Sequence, residues 1–277
     1  MKRTLLLFVT LVLAVSAYAQ RQPQPQQYQY SIAKDLPYIT SGDDYAKEMC
    51  TVDVAYVPGL TDRPVIVWFH GGAMRSGNKE IPEALMTRGY IVVGVGYRLH
   101  PKVSVGEIVK DAAAAVAWVF NNIEKYGGSS SKIYLAGHSA GGTLVDLIGL
   151  DKSYLAEYGI DADRIAALVP YSGQVVTHYT ERGDHGIPPL IPIIDNLAPL
   201  YHMRPDCPPM LVISGDREME LYGRYEETAY FVRMMKLHGH KDITFYELDG
   251  FEHGDMVAPG HLVFLKWLRS RERASAN

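Results

Sequence analysis

Gly137-His138-Ser139-Ala140-Gly141 is a G-x-S-x-G pentapeptide that follows the apolar run 133–136 and precedes a helical run starting near residue 142. A serine on a sharp strand-to-helix turn needs very small residues two positions before and after it, because a Cβ there would strike the adjoining strand or helix. Gly137 and Gly141 meet that need. The same turn sets Ser139 near a helix N-terminus, where backbone N–H groups stabilise developing negative charge. The chemistry served by such a serine is attack on a carbonyl carbon, and it asks for two further parts. One is a base for the hydroxyl, oriented by an acid, in the chain order Ser, acid, His. His253 stands in Asp249-Gly250-Phe251-Glu252-His253-Gly254, just beyond the last apolar run, whereas His238, His240 and His261 fall on or beside helices. The acid is ambiguous, since Gly215-Asp216-Arg217-Glu218-Met219-Glu220 holds three carboxylates. The other part is a cradle for the oxyanion. His70-Gly71-Gly72-Ala73 ends the apolar run 65–69, and the N–H groups of Gly72 and Ala73, with that of Ala140, are the expected donors, Gly71 being the reserve. His70 is expected to brace the loop rather than react.

Positioning these groups requires a stiff scaffold. Apolar runs of strand length at 49–57, 65–69, 91–96, 132–136, 166–170, 210–214 and 243–248 alternate with helix-like stretches at 105–126, 144–150, 224–237 and 261–269. That alternation predicts an α/β fold with a mostly parallel central sheet flanked by helices. Several runs are continuously apolar, as strands buried on both faces are. Ile108, Ala112, Ala115 and Val119 recur at spacings of three and four and give one apolar helix face. Residues 174–209 break the alternation with seven prolines, which predicts a small irregular cap over the strand ends, where such sheets bind ligands. Tyr97, Tyr171 and Tyr201 fall near strand ends or in that cap, where they are candidates for lining a pocket.

The chain has 277 residues, 47% of them hydrophobic and 21% charged, enough for a sizeable core. A net charge of -4, with no basic run or stripe, argues against nucleic acid as a partner. Met1-Lys2-Arg3, the apolar stretch 4–17 and Ala17-Tyr18-Ala19 read as a secretory signal peptide over 1–19. Its apolar part is short of the roughly 20 residues that span a bilayer, so no membrane anchor is expected in the mature chain. The Gln/Pro-rich 20–30 reads as a flexible leader and 31–277 as one domain, exported and soluble. Cys50 and Cys207 cannot build a disulfide framework or a cysteine zinc site, although export would permit a bridge between them. There is no H-E-x-x-H spacing, no G-x-G-x-x-G after the first strand and no P-loop, so neither a metal nor a cofactor is expected. Nothing in the sequence sets an oligomeric state.

Five segments carry a family resemblance: His70-Gly71-Gly72-Ala73, Tyr97-Arg98, Gly137 to Gly142, Gly215-Asp216-Arg217-Glu218 and Gly250-Phe251-Glu252-His253-Gly254. Spanning about residues 50–269, they resemble the secreted α/β-hydrolase esterases, especially carbohydrate esterases of polysaccharide-degrading bacteria that remove acetyl or feruloyl groups. The chain is also similar to kynurenine formamidases and hormone-sensitive-lipase-like esterases. The resemblance implies the α/β-hydrolase fold and serine ester hydrolysis through an acyl-enzyme, with a small ester or acylated oligosaccharide as substrate. It implies a Gly-x-x-Asp register for the acid, which selects Glu218. Asp216 is the alternative, a residue that would otherwise pin the loop through backbone hydrogen bonds, and Glu220 follows. Two positions depart from the pattern: Ala73 replaces the third glycine of HGGG, and glutamate replaces aspartate at 218. The alternative functions are a secreted serine peptidase or amidase of the same fold and a non-catalytic binding protein on this scaffold. Ser139 and His253, both in context, weigh against the last.

Overall fold

A computed structural model describes residues 28–275, so the expected signal peptide and most of the leader lie outside the described residues. Eight strands form one sheet: β1 (Ser31–Pro37), β2 (Thr51–Tyr56), β3 (Arg63–Phe69), β4 (Ile91–Val95), β5 (Gly128–His138), β6 (Ala167–Tyr171), β7 (Met210–Gly215) and β8 (Ile243–Leu248). Their spatial order is β1-β2-β4-β3-β5-β6-β7-β8. The β1–β2 and β2–β4 pairs are antiparallel, and every pair from β4 to β8 is parallel.

The helices are α1 (Asp44–Met49), α2 (Val105–Asn122), α3 (Ala140–Leu150), α4 (Ser153–Ala156), α5 (Tyr179–Asp184), α6 (Arg224–Leu237) and α7 (Val257–Ser275). They cover the sheet with two cores. In β3, Val65, Val67 and Phe69 point into one core with α2, α3 and α6, while Ile66 and Trp68 point into the other with α7. Alternate residues of a continuously apolar strand thus serve opposite faces, which is why the run carries no polar positions. α2 begins with a capping box in which Ser104 and Glu107 satisfy each other's backbone N–H groups. Arg98, just after β4, grips Asp111 of α2 through two hydrogen bonds of 2.8 and 2.7 Å and ties that loop to the helix.

Three features differ from the sequence expectation, each for a local reason. β1 adds an eighth strand. Its exposed residues, Lys34 and Asp35 among them, make a poor apolar run, and a register shift between Ala33 and Leu36 interrupts its pairing with β2. α3 starts at Ala140, because backbone forced into the elbow becomes helical despite Gly141 and Gly142. α2 stops at Asn122, and a 3-10 turn leads to Gly127, whose left-handed φ of 84° ends it. Cys50 and Cys207 are both buried free thiols, so the permitted bridge is not formed. Among the described residues no helix is long and apolar enough to cross a membrane. Residues 174–209 carry only α5 and a 3-10 turn at Pro199–His202, and Thr180 of α5 donates to the Ala73 carbonyl at 2.7 Å. That bond seats the segment against the loop after β3.

Candidate active site

The nucleophile's position follows from the glycines around it. Ser139 has φ 55° and ψ -118°, a conformation costly for a residue with a Cβ and held here by the strand and helix on either side. A Cβ on Gly141 would stand 2.1 Å from the Phe69 carbonyl oxygen and 2.8 Å from that of His70, so only glycine lets α3 start so near β3. A Cβ on Gly71 would meet the Ser139 Cβ at 3.3 Å, which places the His70–Ala73 loop in contact with the serine. Ala140 opens α3, so its N–H lies in the first turn, where no intrahelical carbonyl is available. His70 braces the loop: its ring stacks on Tyr97 at 4.2 Å, its Nδ1–H donates to the Gly71 carbonyl at 2.7 Å, and Tyr97 Oη donates to the His70 carbonyl at 2.7 Å.

His253 reaches over from the loop after β8. Its Nε2 lies 2.9 Å from Ser139 Oγ and its Nδ1 lies 2.8 Å from Glu220 Oε2. A carboxylate only accepts, so Nδ1 carries the proton and Nε2 is free to accept the serine's. Ser139 is 7% exposed, and the Glu220 side chain is 1% exposed.

The acid beside the histidine is Glu220, which corrects the expectation of Glu218 or Asp216. After Gly215 the chain makes a helical turn, with the N–H groups of Met219 and Glu220 donating to the Asp216 carbonyl at 3.0 and 2.9 Å. That turn carries residue 218 outward to solvent and brings residue 220 back under the sheet edge. Glu218 is exposed and donates its backbone N–H to Asp216 at 2.8 Å. Asp216 also accepts from the Gly250 N–H at 2.7 Å, pinning the acid loop to the histidine loop. Those two backbone donors hold its carboxyl below the usual range.

Glu220 is surrounded by donors. Oε1 accepts from Ser172 Oγ at 2.6 Å and from the Gly215 N–H at 3.0 Å; Oε2 accepts from His253 Nδ1 and from the Leu221 N–H at 3.1 Å. Burial pushes its pKa up, but the hydrogen bond and charge of His253, the Ser172 hydroxyl and the Gly215 N–H outweigh it and bring the pKa to about 2.

Two further residues were not singled out from the sequence. Ser172, just past β6 with φ 47°, also stands 3.1 Å from His253 Nδ1, so its hydroxyl touches both acid and base. His138, the variable residue before the serine, donates its Nε2–H to the His253 carbonyl at 2.8 Å, with the two rings 4.7 Å apart. Burial first, then the neighbouring His253, lowers the His138 pKa to about 4, which keeps it neutral and a fixed donor. Ser172 lies outside every motif and His138 fills an unrestricted position of one, so their roles arise only where β5, β6 and the last loop converge. Tyr97 and Tyr171 are fully buried structural residues rather than pocket walls, while Tyr201 is exposed. Among the described residues no group of three or more His, Cys, Asp or Glu is placed to hold a metal ion. A hollow of about 660 Å³ lined by Arg63, Lys132 and Arg271 lies at the opposite, N-terminal end of the parallel strands, away from Ser139.

Comparison with known proteins gives this geometry relatives. Residues 53–173 match the BD-FAE family. The chain is 26% identical to the probable carboxylic ester hydrolase LipM of Mycobacterium tuberculosis over 214 residues, 69% of this chain and 49% of that protein. It is 41% identical to venom carboxylesterase-6 of Apis mellifera over 113 residues, 35% of this chain and 20% of that protein. It thus spans from a fifth to about half the length of these relatives. A truncated carbohydrate esterase from gut microbiota superposes with a TM-score of 0.69 at 17% identity, covering 89% of this chain and 98% of that one. The chain has the α/β-hydrolase fold, and the proteins it resembles are carbohydrate esterases and bacterial esterases.

Proposed function

We propose that the chain is a serine carboxylic-ester hydrolase working through an acyl-enzyme. The observation that carries this reading is the unbroken relay from Ser139 Oγ through His253 to Glu220, at 2.9 and 2.8 Å. Ser139 Oγ attacks the ester carbonyl carbon as its proton passes to His253 Nε2. The N–H groups of Gly72, Ala73 and Ala140, with Gly71 in reserve, receive the oxyanion. The tetrahedral intermediate collapses, the C–O bond to the alcohol breaks, and His253 returns the proton to the departing alkoxide. Water then attacks the acyl-enzyme by the same route and frees the acid and Ser139. Glu220 stabilises the imidazolium formed in each step and holds its ring.

The substrate class follows from the relatives and the N-terminal sequence. Acetyl or feruloyl esters on plant polysaccharide fragments, acted on outside the cytoplasm, agree with the likeness to carbohydrate esterases and with the expected signal peptide. Residues 174–209 act as the cap over the acyl-binding end. Hydrolysis of p-nitrophenyl acetate, butyrate and octanoate and of acetylated xylo-oligosaccharides, by the chain and by Ser139→Ala, tests the reading. Serine-dependent release of acetate is expected. Turnover of peptide or amide substrates without ester turnover would move the assignment to a peptidase or amidase.

A further inference from the structure

The loop that presents the oxyanion donors also presents a cation. Arg75 follows Ala73 and Met74, whose φ values of 58° and 59° turn the chain sharply, and its backbone N–H closes that turn on the Gly72 carbonyl at 2.9 Å. Its side chain is exposed and lies against α5, where a Cβ on Gly183 would stand 3.6 Å from Nη2. The carboxylates of α5 are engaged elsewhere, Asp184 with His100 at 2.8 Å and Glu181 with His185 at 3.2 Å. Among the described residues no carboxylate pairs with the Arg75 guanidinium.

What surrounds Arg75 makes it more than a solvated surface charge. The guanidinium lies against α5, whose Thr180 bonds the Ala73 carbonyl of the same loop, and its charge is felt by His178 and Tyr179. Tyr179 meets Tyr222 edge to face at 6.0 Å, and Tyr222, 52% exposed with φ 49°, is two residues past Glu220. These two rings therefore link the segment over the oxyanion loop to the loop that carries the acid. Beneath them Arg182 and Arg224 are buried, with Arg224 Nη1 donating to the Ser172 carbonyl. The carboxylate against them is Glu227, 3.1 Å from Arg224 Nε, and burial raises its pKa to about 7 despite both arginines. The wall behind the tyrosines is net positive at neutral pH.

We propose that this enzyme's preferred esters carry a carboxylate close to the scissile bond, as acylated uronic-acid oligosaccharides do, and that Arg75 receives that carboxylate beside the Tyr179–Tyr222 pair. The inference rests on the ester-hydrolase reading. A guanidinium offers a planar pair of donors that matches a carboxylate, and the aromatic rings give a face on which a sugar ring can lie. Arg75 stands two residues after Ala73, in the loop that presents the oxyanion donors.

Two matched pairs test it: mono-p-nitrophenyl succinate against p-nitrophenyl butyrate, and an O-acetylated methyl galacturonide against the O-acetylated methyl galactoside. In at least one pair the anionic member should be favoured about tenfold or more in kcat/KM, mainly through KM, the scale of a charge-assisted hydrogen bond. Raising the salt should erode that preference. Arg75→Gln should bring the ratio close to one, and Arg75→Lys should keep part of it. Because the ratio is taken within each variant, general damage to the fold cancels. No preference in either pair, or a preference that survives Arg75→Gln, overturns the proposal. Binding of the same four ligands to Ser139→Ala, with and without Arg75→Gln, separates the two layers. If wild type turns over no ester, the hydrolase reading fails, while tighter, Arg75-dependent binding of the anionic members still upholds the recognition and its absence refutes it.

Discussion

Replacing Glu220 by Gln changes little in shape and much in electrostatics. The carboxylate accepts four hydrogen bonds, and its pKa of about 2 against an ordinary 4.5 corresponds to roughly 3 kcal/mol favouring the ionised form in the folded protein. An amide keeps one acceptor for Ser172 and the Gly215 N–H, but it turns N–H groups toward His253 Nδ1–H. The imidazole is then driven to the other tautomer, with its proton on Nε2, and can no longer take the one from Ser139. Loss of this orientation in a serine triad costs about 10⁴ in kcat, so Glu220→Gln should fall by three to four orders of magnitude with KM nearly constant. Its thermal midpoint should fall as well. Glu218→Ala, at an exposed side chain, should keep activity within about twofold, as surface changes do. Asp216→Ala removes the pin between two loops and should cost about 1 kcal/mol of stability with a smaller loss of kcat. The assay is p-nitrophenyl acetate turnover beside thermal unfolding for the three variants. A collapse of kcat in Glu218→Ala with Glu220→Gln near wild type would refute the reasoning.

Other residues give further expectations. Gly141→Ala places a Cβ 2.1 Å from the Phe69 carbonyl oxygen, backbone against backbone, so the elbow must move by about 1 Å; activity should drop about 100-fold or the chain should fail to accumulate, read by soluble yield and kcat. Ser172→Ala removes a 2.6 Å hydrogen bond to Glu220 without easing the left-handed backbone, since alanine tolerates φ 47° no better, and kcat should fall about tenfold. His138 and His261 have folded pKa values lowered to about 4, so the unfolded chain takes up protons first and stability falls as pH drops from about 6.5 to 4, by roughly 3 kcal/mol per group. Glu220 acts in the same direction lower down: its contribution is complete above pH 4.5 and is lost as pH falls toward 2. Urea midpoints at pH 7, 5 and 4 should decline steadily, and a flat profile would contradict the buried, neutral state of these groups.

The sequence made the nucleophile legible because the elbow is a local device: Gly137, Ser139 and Gly141 are required by sterics within five residues. The same holds for the β3 loop, whose glycines reveal a close approach, and for the long apolar strands. The acid was not legible in that way. Asp216, Glu218 and Glu220 have the same chemistry and differ only in which one a single turn after β7 aims inward. An i to i+4 step from Asp216 to Glu220 is the signal that would have favoured a turn over an extended loop. Ser172 and His138 gave no signal at all, since their partners lie 81 and 115 residues away. β1 was hidden by Lys34, Asp35 and Pro37, which an edge strand tolerates and a central one does not.

The central claim is a covalent acyl-enzyme on Ser139, and rapid acid quench during turnover of p-nitrophenyl acetate tests it most directly. Intact-mass and peptide-mass measurements should find one acetyl group per chain, confined to the peptide containing Ser139, formed in a burst and absent in Ser139→Ala. Sustained ester turnover with no adduct, or turnover that persists in Ser139→Ala, would contradict the account.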